Sequence, residues 1–418
     1  MHAFLNRRRL LALVMASAAI LAAGVATSAS AGNSRHWTHR PGPGGASITS
    51  QSWGTAPDGQ AVNLYTLTNA RGMTVTITNY GGIVQSIDVP DRKGQVANVA
   101  LGFSNLAGYV TDDTTTTASG ETYFGGIIGR YANRIANGSF KLNGVTYTLP
   151  QNNGTNTLHG GPDSWNMQVW TATPISGRQS VSLQLTYTDP AGKNGFPGTV
   201  AAKVDYTLTQ DDALRIDYTA TTSAPTVINL TNHTYFNLAG EGSGDVFGQD
   251  LMINADNYTP INANLIPTGV IAPVAGTPLD FRTPKPIGQD INSGFNQLVL
   301  AHGFDHNWVL NRSGPGLSLA AQAYDPVSGR VLTTWTTEPG VQFYSGNFLV
   351  GDLIGTSGGT YRQSDGFTLE TQHYPDSPNE PSFPSTVLNP GTPFNSTTIY
   401  QFSTANQFPT ANQFPTGP

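Results

Sequence analysis

Cysteine is absent from the 418 residues, so no disulfide or thiolate metal site can form, and an ordinary apolar core must hold the fold. Charge is scarce as well: Asp, Glu, Lys and Arg together make up 11% of the chain. No stretch of a dozen residues carries a convincing helical period. No glycine-rich loop follows a strand and opens a helix, as a phosphate site would require. An apolar run does extend from Leu10 to about Gly24, behind Arg7, Arg8 and Arg9 and ahead of Ala29-Ser30-Ala31. That order predicts a secretory signal peptide over residues 1–31, and the run is short for a retained spanning helix. The arginines before Leu10 and Leu11 partly match a twin-arginine signal, so both Sec and twin-arginine export stay open. Losing those arginines takes the balance from 20 basic and 26 acidic residues to 17 and 26, a mature charge of −9. Such a balance argues against nucleic-acid binding, and without the leader no membrane association is expected.

What is abundant is glycine (47), proline (28), threonine and asparagine, a mixture that favours turns and strands. Residues 32–50 are Gly, Pro, Ser and His without an apolar period and read as a linker. At the other end Thr404–Pro409 is repeated as Thr410–Pro415, which reads as a flexible tail over 404–418. Between them, residues 51–403 form one domain. Phe140-Lys141-Leu142 and Val145 to Leu149 flank Asn143-Gly144, a two-residue hairpin turn whose backbone matches strand twist. Val204, Tyr206 and Leu208 alternate with polar residues, and after Asp211-Asp212 the alternation returns in Leu214, Ile216 and Tyr218. The predicted fold class is all-β, a large antiparallel β-sandwich.

Candidate chemistry sits in short, dense motifs. Phe367 and Leu369 alternate with Thr368 and Glu370, and Pro375 and Pro378 follow, so Glu370 is a carboxylate at a strand end beside a rigid loop. Gly129 to Ile135 offers Arg130, Asn133 and Arg134; Leu158-His159-Gly160-Gly161 sets an imidazole against residues that allow close approach. His233 lies in Asn232-His233-Thr234-Tyr235-Phe236-Asn237, Asp305 in Phe304-Asp305-His306-Asn307-Trp308, and Gln342 in Gly340-Val341-Gln342-Phe343-Tyr344. Each has a plain reading: a solvated carboxylate at a sheet edge, a satisfied core histidine, a turn aspartate, a surface arginine pair. His302, Asp305 and His306 have metal-like spacing, but no further His or Cys cluster completes a set, so no metal and no cofactor is expected.

Taken in order, these motifs resemble the aldose 1-epimerase (galactose mutarotase) family, from about Ser52 to Phe402. Tyr258-Thr259-Pro260, Ile266-Pro267-Thr268-Gly269, Leu279-Asp280-Phe281-Arg282 and Asn389-Pro390-Gly391 fall in the same series. The resemblance implies a β-supersandwich that opens and recloses the ring of a free aldohexose such as galactose or glucose, interconverting its α and β anomers. It implies Glu370 as general base and His233 as general acid, with Asn133, Arg134, His159, Asp305 and Gln342 binding the sugar and Arg130 in support. Trp308 and Tyr344 are the aromatics considered for an apolar sugar face, with core packing the other reading. Trp165 stands where the family more often has Phe, in a loop expected to shape one cleft wall. Export is unusual for an enzyme linked to intracellular sugar use. The partner expected is the small-molecule sugar alone, with the chain a monomer or weak dimer. Two rivals remain: a glycoside hydrolase pairing Glu370 with Asp305 or Asp376, and a non-catalytic carbohydrate-binding module.

Overall fold

Alternation of apolar and polar residues dictates the main sheet. In a computed structural model, which describes residues 45–115, 117–177 and 180–409, Val200–Leu208 pairs antiparallel with Ala213–Thr222, Leu208 opposite Leu214. Val200, Val204, Tyr206 and Leu208 are buried, and the intervening residues reach solvent to varying degrees. These strands sit within a nine-stranded sheet that continues through Phe394–Thr404, Arg330–Thr336 and Ser318–Tyr324. The predicted Asn143-Gly144 hairpin is present: Ser139–Leu142 pairs with Val145–Thr148, and both turn residues have positive φ, 50° and 84°.

A six-stranded sheet carries the site. Its order runs Tyr235–Phe236, Phe367–Gln372, Gly340–Tyr344, Asp305–Leu310, Ala255–Thr259 and Ala272–Pro273. One face packs on the nine-stranded sheet. Phe367, Leu369, Phe343, Trp308 and Phe304 join Tyr400 and Phe402 in one apolar cluster, and the Tyr400 hydroxyl donates to the Leu369 carbonyl at 2.9 Å. Full burial of each such side chain contributes about 1.5–3 kcal/mol, which fixes which face of each strand is left over for chemistry. A five-stranded sheet, Ser47–Thr55 through Val96–Asn98, completes the sandwich. Helix is confined to short pieces among the described residues: Leu106–Thr114, capped by the Asn105 side chain accepting from the Gly108 N–H at 3.0 Å, and Asn296–Ala301.

The first strand begins at Ser47, inside the span read as linker, because Ile48 packs on the core and the segment pairs with Ala61–Thr68. The last strand ends at Thr404, and the Phe408 ring lies 6.2 Å from that of Tyr324. The signal peptide, most of the linker and residues 410–418 lie outside the described residues.

Three aromatic and arginine expectations are resolved by packing. Trp308 is a core residue, fully buried, with its indole N–H donating to the Leu279 carbonyl at 3.1 Å; strand alternation turns it away from the Asp305 face. Trp165 is buried against Trp170, ring centroids 5.6 Å apart, so it shapes no cleft wall, although Pro162 and Met167 from the same loop do. Arg130 is buried in an ion pair with Asp189 at 2.8 Å and donates to the carbonyls of Pro197 and Gly198, which ties the loops behind the site.

Candidate active site

Antiparallel register brings the first half of the site together. Asp305 lies opposite Tyr344, Asn307 opposite Gln342, and Gln342 opposite Glu370, so residues distant in the chain share one face of three neighbouring strands. Glu370 stands mid-strand, within Phe367–Gln372, on the face opposite Phe367 and Leu369. The second half comes from loops laid over that face. His233 directly follows the short strand Thr231–Asn232, which pairs with Ile127–Ile128; its N–H donates to the Gly126 carbonyl and its carbonyl accepts from the Gly125 N–H, both at 3.0 Å. Arg134–Ile135 pairs with Thr157–Leu158, and Asn133 and His159 beside it both adopt left-handed backbone, φ 63° and 50°. Those two positions are also tied to each other. The His159 N–H donates to the Asn133 carbonyl, and the Asn133 N–H donates to Nδ1 of His159 at 3.2 Å.

The resulting cleft encloses about 510 Å³ and is lined by Asn133, Arg134, His159, His233, Asp305 and Glu370 together with Tyr344 and the 117–123 segment. Nε2 of His233 is 3.5 Å from Oε1 of Glu370, which also accepts from the Thr368 hydroxyl at 2.9 Å. Arg134 reaches Asp305 at 3.7 Å and donates through Nε to Asn153 Oδ1 at 3.0 Å. Gln342, beside Glu370 on the same face but not among the residues lining the cavity, donates to Asp305 at 2.6 Å and orients that carboxylate.

Electrostatics follow from enclosure. Burial pushes Glu370 up to about 8, opposed by the Thr368 hydrogen bond, reinforced by the Asp305 charge and opposed again by Arg134. Burial pulls His233 down to about 3 and holds His159 well below the usual imidazole range, with the His233 and Arg134 charges adding to the latter shift. Asp305 is also raised by burial, against the pull of Arg134 and Gln342. Burial therefore works against the ionised Glu370 and protonated His233 expected from sequence and towards the neutral form of each.

The spacing of His302, Asp305 and His306 builds no common site. His302 caps a helix, and alternation sends His306 into the core, away from Asp305. Ligand-type atoms of His159, His233 and Glu370 do lie within 4.8 Å of one another. The Asn133 N–H occupies Nδ1 of His159, however, so that ring keeps its proton on Nε2 and offers a donor in place of a lone pair. Asp376, considered as a hydrolase partner for Glu370, accepts from the Ala136 N–H at 2.9 Å and the Asn379 amide at 2.7 Å and serves as a loop tie.

Sequence reasoning missed Tyr123, Tyr235 and Asn153. The Tyr123 ring lies 4.5 Å from His159 and 5.7 Å from His233, and Tyr235 lies 5.2 Å from His233. Tyr235 was inside a quoted motif, and its two-residue offset from His233 was the available signal. Nothing local marked Tyr123, whose φ of 58° is forced by the tight turn into Gly125-Gly126.

A carboxyl and an imidazole 3.5 Å apart inside a polar cleft on one face of a β-sandwich are groups able to move protons on a small polar substrate, as an acid–base enzyme requires. Residues 63–401 match the family model described as aldose 1-epimerase. The chain is 42% identical to the galactose mutarotase of Rattus norvegicus over 343 residues, 82% of this chain and 94% of the rat protein. It is 40% identical to the aldose 1-epimerase of Escherichia coli K12, over 79% of this chain and 91% of that one. Its structure is similar to the galactose 1-epimerase of Lactobacillus acidophilus, with a TM-score of 0.74 at 29% identity, covering 86% of this chain and 99% of that one. The chain belongs to the aldose 1-epimerase family. It is an isomerase that interconverts the α and β anomers of aldoses.

Proposed function

We propose that Glu370 takes the proton of the anomeric hydroxyl of a free aldohexose such as galactose or glucose while His233 delivers one to the ring oxygen. The observation that carries this is the 3.5 Å approach of Nε2 of His233 to Oε1 of Glu370 inside the cleft. Starting from carboxylate and imidazolium, ring opening leaves a protonated carboxyl, a neutral imidazole and the open-chain aldehyde. That neutral pair is the arrangement burial already favours, so the enclosed cleft stabilises the open-chain side of the reaction. Rotation about C1–C2 presents the other carbonyl face, and reclosure runs both transfers backwards. Arg134 and Asp305 hold hydroxyls that do not react, the Nε2–H of His159 donates to another, and Asn133 holds the His159 backbone in place.

The test is polarimetry on freshly dissolved α-galactose and α-glucose. Decay faster than the spontaneous rate with the wild type, and spontaneous decay with Glu370→Gln, is the expected result; spontaneous decay with both proteins would point to a binding module. Release of the aglycone from an aryl glycoside would favour the hydrolase reading. The leader over residues 1–31 further suggests action outside the cell on sugars freed from polymers. Finding the mature N-terminus near Gly32 in culture supernatant checks that.

A further inference from the structure

On the site face of the three central site strands, six buried side-chain atoms have no hydrogen-bond partner among the described residues: Oδ1 and Nδ2 of Asn307, Oε1 of Gln342, Oε2 of Glu370, and Oε1 and Nε2 of Gln372. All four side chains are at most 3% exposed, and neither Asn307 nor Gln372 lines the sugar cleft. They are nevertheless contiguous. Asn307 is opposite Gln342 and Gln342 opposite Glu370, while Gln372 is two residues beyond Glu370 on the same face. Gly340, opposite Gln372, lets the Asn307 side chain pack close to the backbone. A Cβ there would come within 2.4 Å of Oδ1 of Asn307 and 3.0 Å of the Tyr374 ring, so the Asn307 amide leans over the glycine towards the Gln372 row, under Tyr374.

Orphaned polar atoms are rare in folded interiors, and a cluster of them in a polar recess is what ordered water satisfies. The set has four oxygens against two amide nitrogens and is short of donors, which water supplies. We propose that Asn307 and Gln372 hold ordered water against Oε2 of Glu370, behind the sugar cleft, and so act as positioning residues for that carboxylate. Oε1 is already fixed by Thr368 and faces His233, so the second oxygen is the free end of the group. Water held there stops the carboxylate turning about its last bond and solvates the ionised form. The other titratable and charged groups around Glu370 are His233, His159, Asp305, Arg134 and the phenols of Tyr235 and Tyr400. None of them fills this side with a donor bonded to Oε2.

The inference rests on Glu370 acting as the base, and the experiment separates the two. Gln372→Met keeps the volume but removes the amide. It should lower kcat about tenfold, leave KM for galactose within about twofold, and move the alkaline limb of the rate profile up by roughly half a pH unit or more, because the ionised carboxylate loses its water-borne donors. Asn307→Ser, a smaller polar side chain that leaves room for water, should keep kcat within about threefold of wild type. A high-resolution crystal structure of the wild type should show water within about 3 Å of Oε2 and of at least one of the two amides. Wild-type kinetics in Gln372→Met overturns the proposal. So does a fall in kcat with an unmoved alkaline limb, or a crystal structure in which the amides bond only to each other. If Glu370→Gln retains full activity, the base assignment fails instead, whatever Gln372→Met does.

Discussion

At the residue scale, the proposed mechanism asks one carboxylate and one imidazole, 3.5 Å apart, to share a proton. Glu370→Gln and His233→Ala should each lower kcat by about 10²–10⁴-fold, the range of positioned acid–base groups, with smaller changes in KM; polarimetry at saturating galactose reads this directly. The pH dependence follows from the shifts. Above about 8 Glu370 loses the proton and no acid remains, and near 3 His233 gains one and no base remains, so activity should hold between these limits and fall outside them. A decline centred between pH 6 and 7 would contradict the pair as described. That Glu370, His233, Arg134 and Asp305 belong to one site was legible because their motifs are dense and ordered, and the structure brings them into one cleft. The shifts of Glu370 and His233 were not, because they come from enclosure by groups distant in the chain. The hydrogen bond from Gln342 to Asp305 was not legible either, because only the register sets Gln342 beside Glu370 on the face that Asp305 shares.

At the element scale, the cleft has a fixed wall and a tethered one. The fixed wall is the sheet, legible from alternation at Phe367–Gln372 and from the tight hairpins, where local turn chemistry decides the pairing. The tethered wall is the 117–122 segment, which carries no pattern to read and is held by carboxylates from elsewhere. Asp352 accepts from the Ala118 N–H at 2.7 Å, the Ser119 N–H at 3.2 Å and the Ser119 hydroxyl, while Asp112 accepts from the Thr122 N–H at 3.0 Å and its hydroxyl at 2.7 Å. Thr117, Ala118, Ser119 and Gly120 line the same cavity as Glu370. Releasing the Asp352 tie leaves the acid–base pair untouched but makes this wall an ensemble that the sugar must order. Asp352→Ala should therefore raise KM for galactose about three- to tenfold with kcat within about twofold, as expected when ordering is charged to binding. Steady-state kinetics decide it, and a fall in kcat at unchanged KM would show that the wall bears on the chemistry itself.

At the scale of the whole molecule, the fold class was readable from composition and period. What it costs to bury the site was not. Glu370, Asp112, Glu121 and Asp376 are all raised by burial, to about 8, 6, 7 and 6, while His233 and His306 are both lowered to about 3. A carboxyl raised on folding contributes stability in full below its unfolded value and loses it as pH rises through the folded one. An imidazole lowered on folding contributes in full above its unfolded value and loses it as pH falls through the folded one. The two sets oppose each other between about 4.5 and 6.5, so thermal unfolding should show its highest midpoint on the acid side of neutral and a decline from pH 6 to 9. Comparison with a neutral isostere isolates the share of the base. Glu370→Gln and wild type should melt together near pH 4.5, and the variant should gain on wild type as pH rises, levelling off above about 8 at an advantage on the order of a few kcal/mol. Parallel midpoints across that range would mean that the carboxylate finds enough solvation in the folded protein to ionise freely. With the gain present and the activity absent in the same variant, the strain of keeping an ionisable group in an enclosed cleft would be measured as a cost of catalysis borne by the fold.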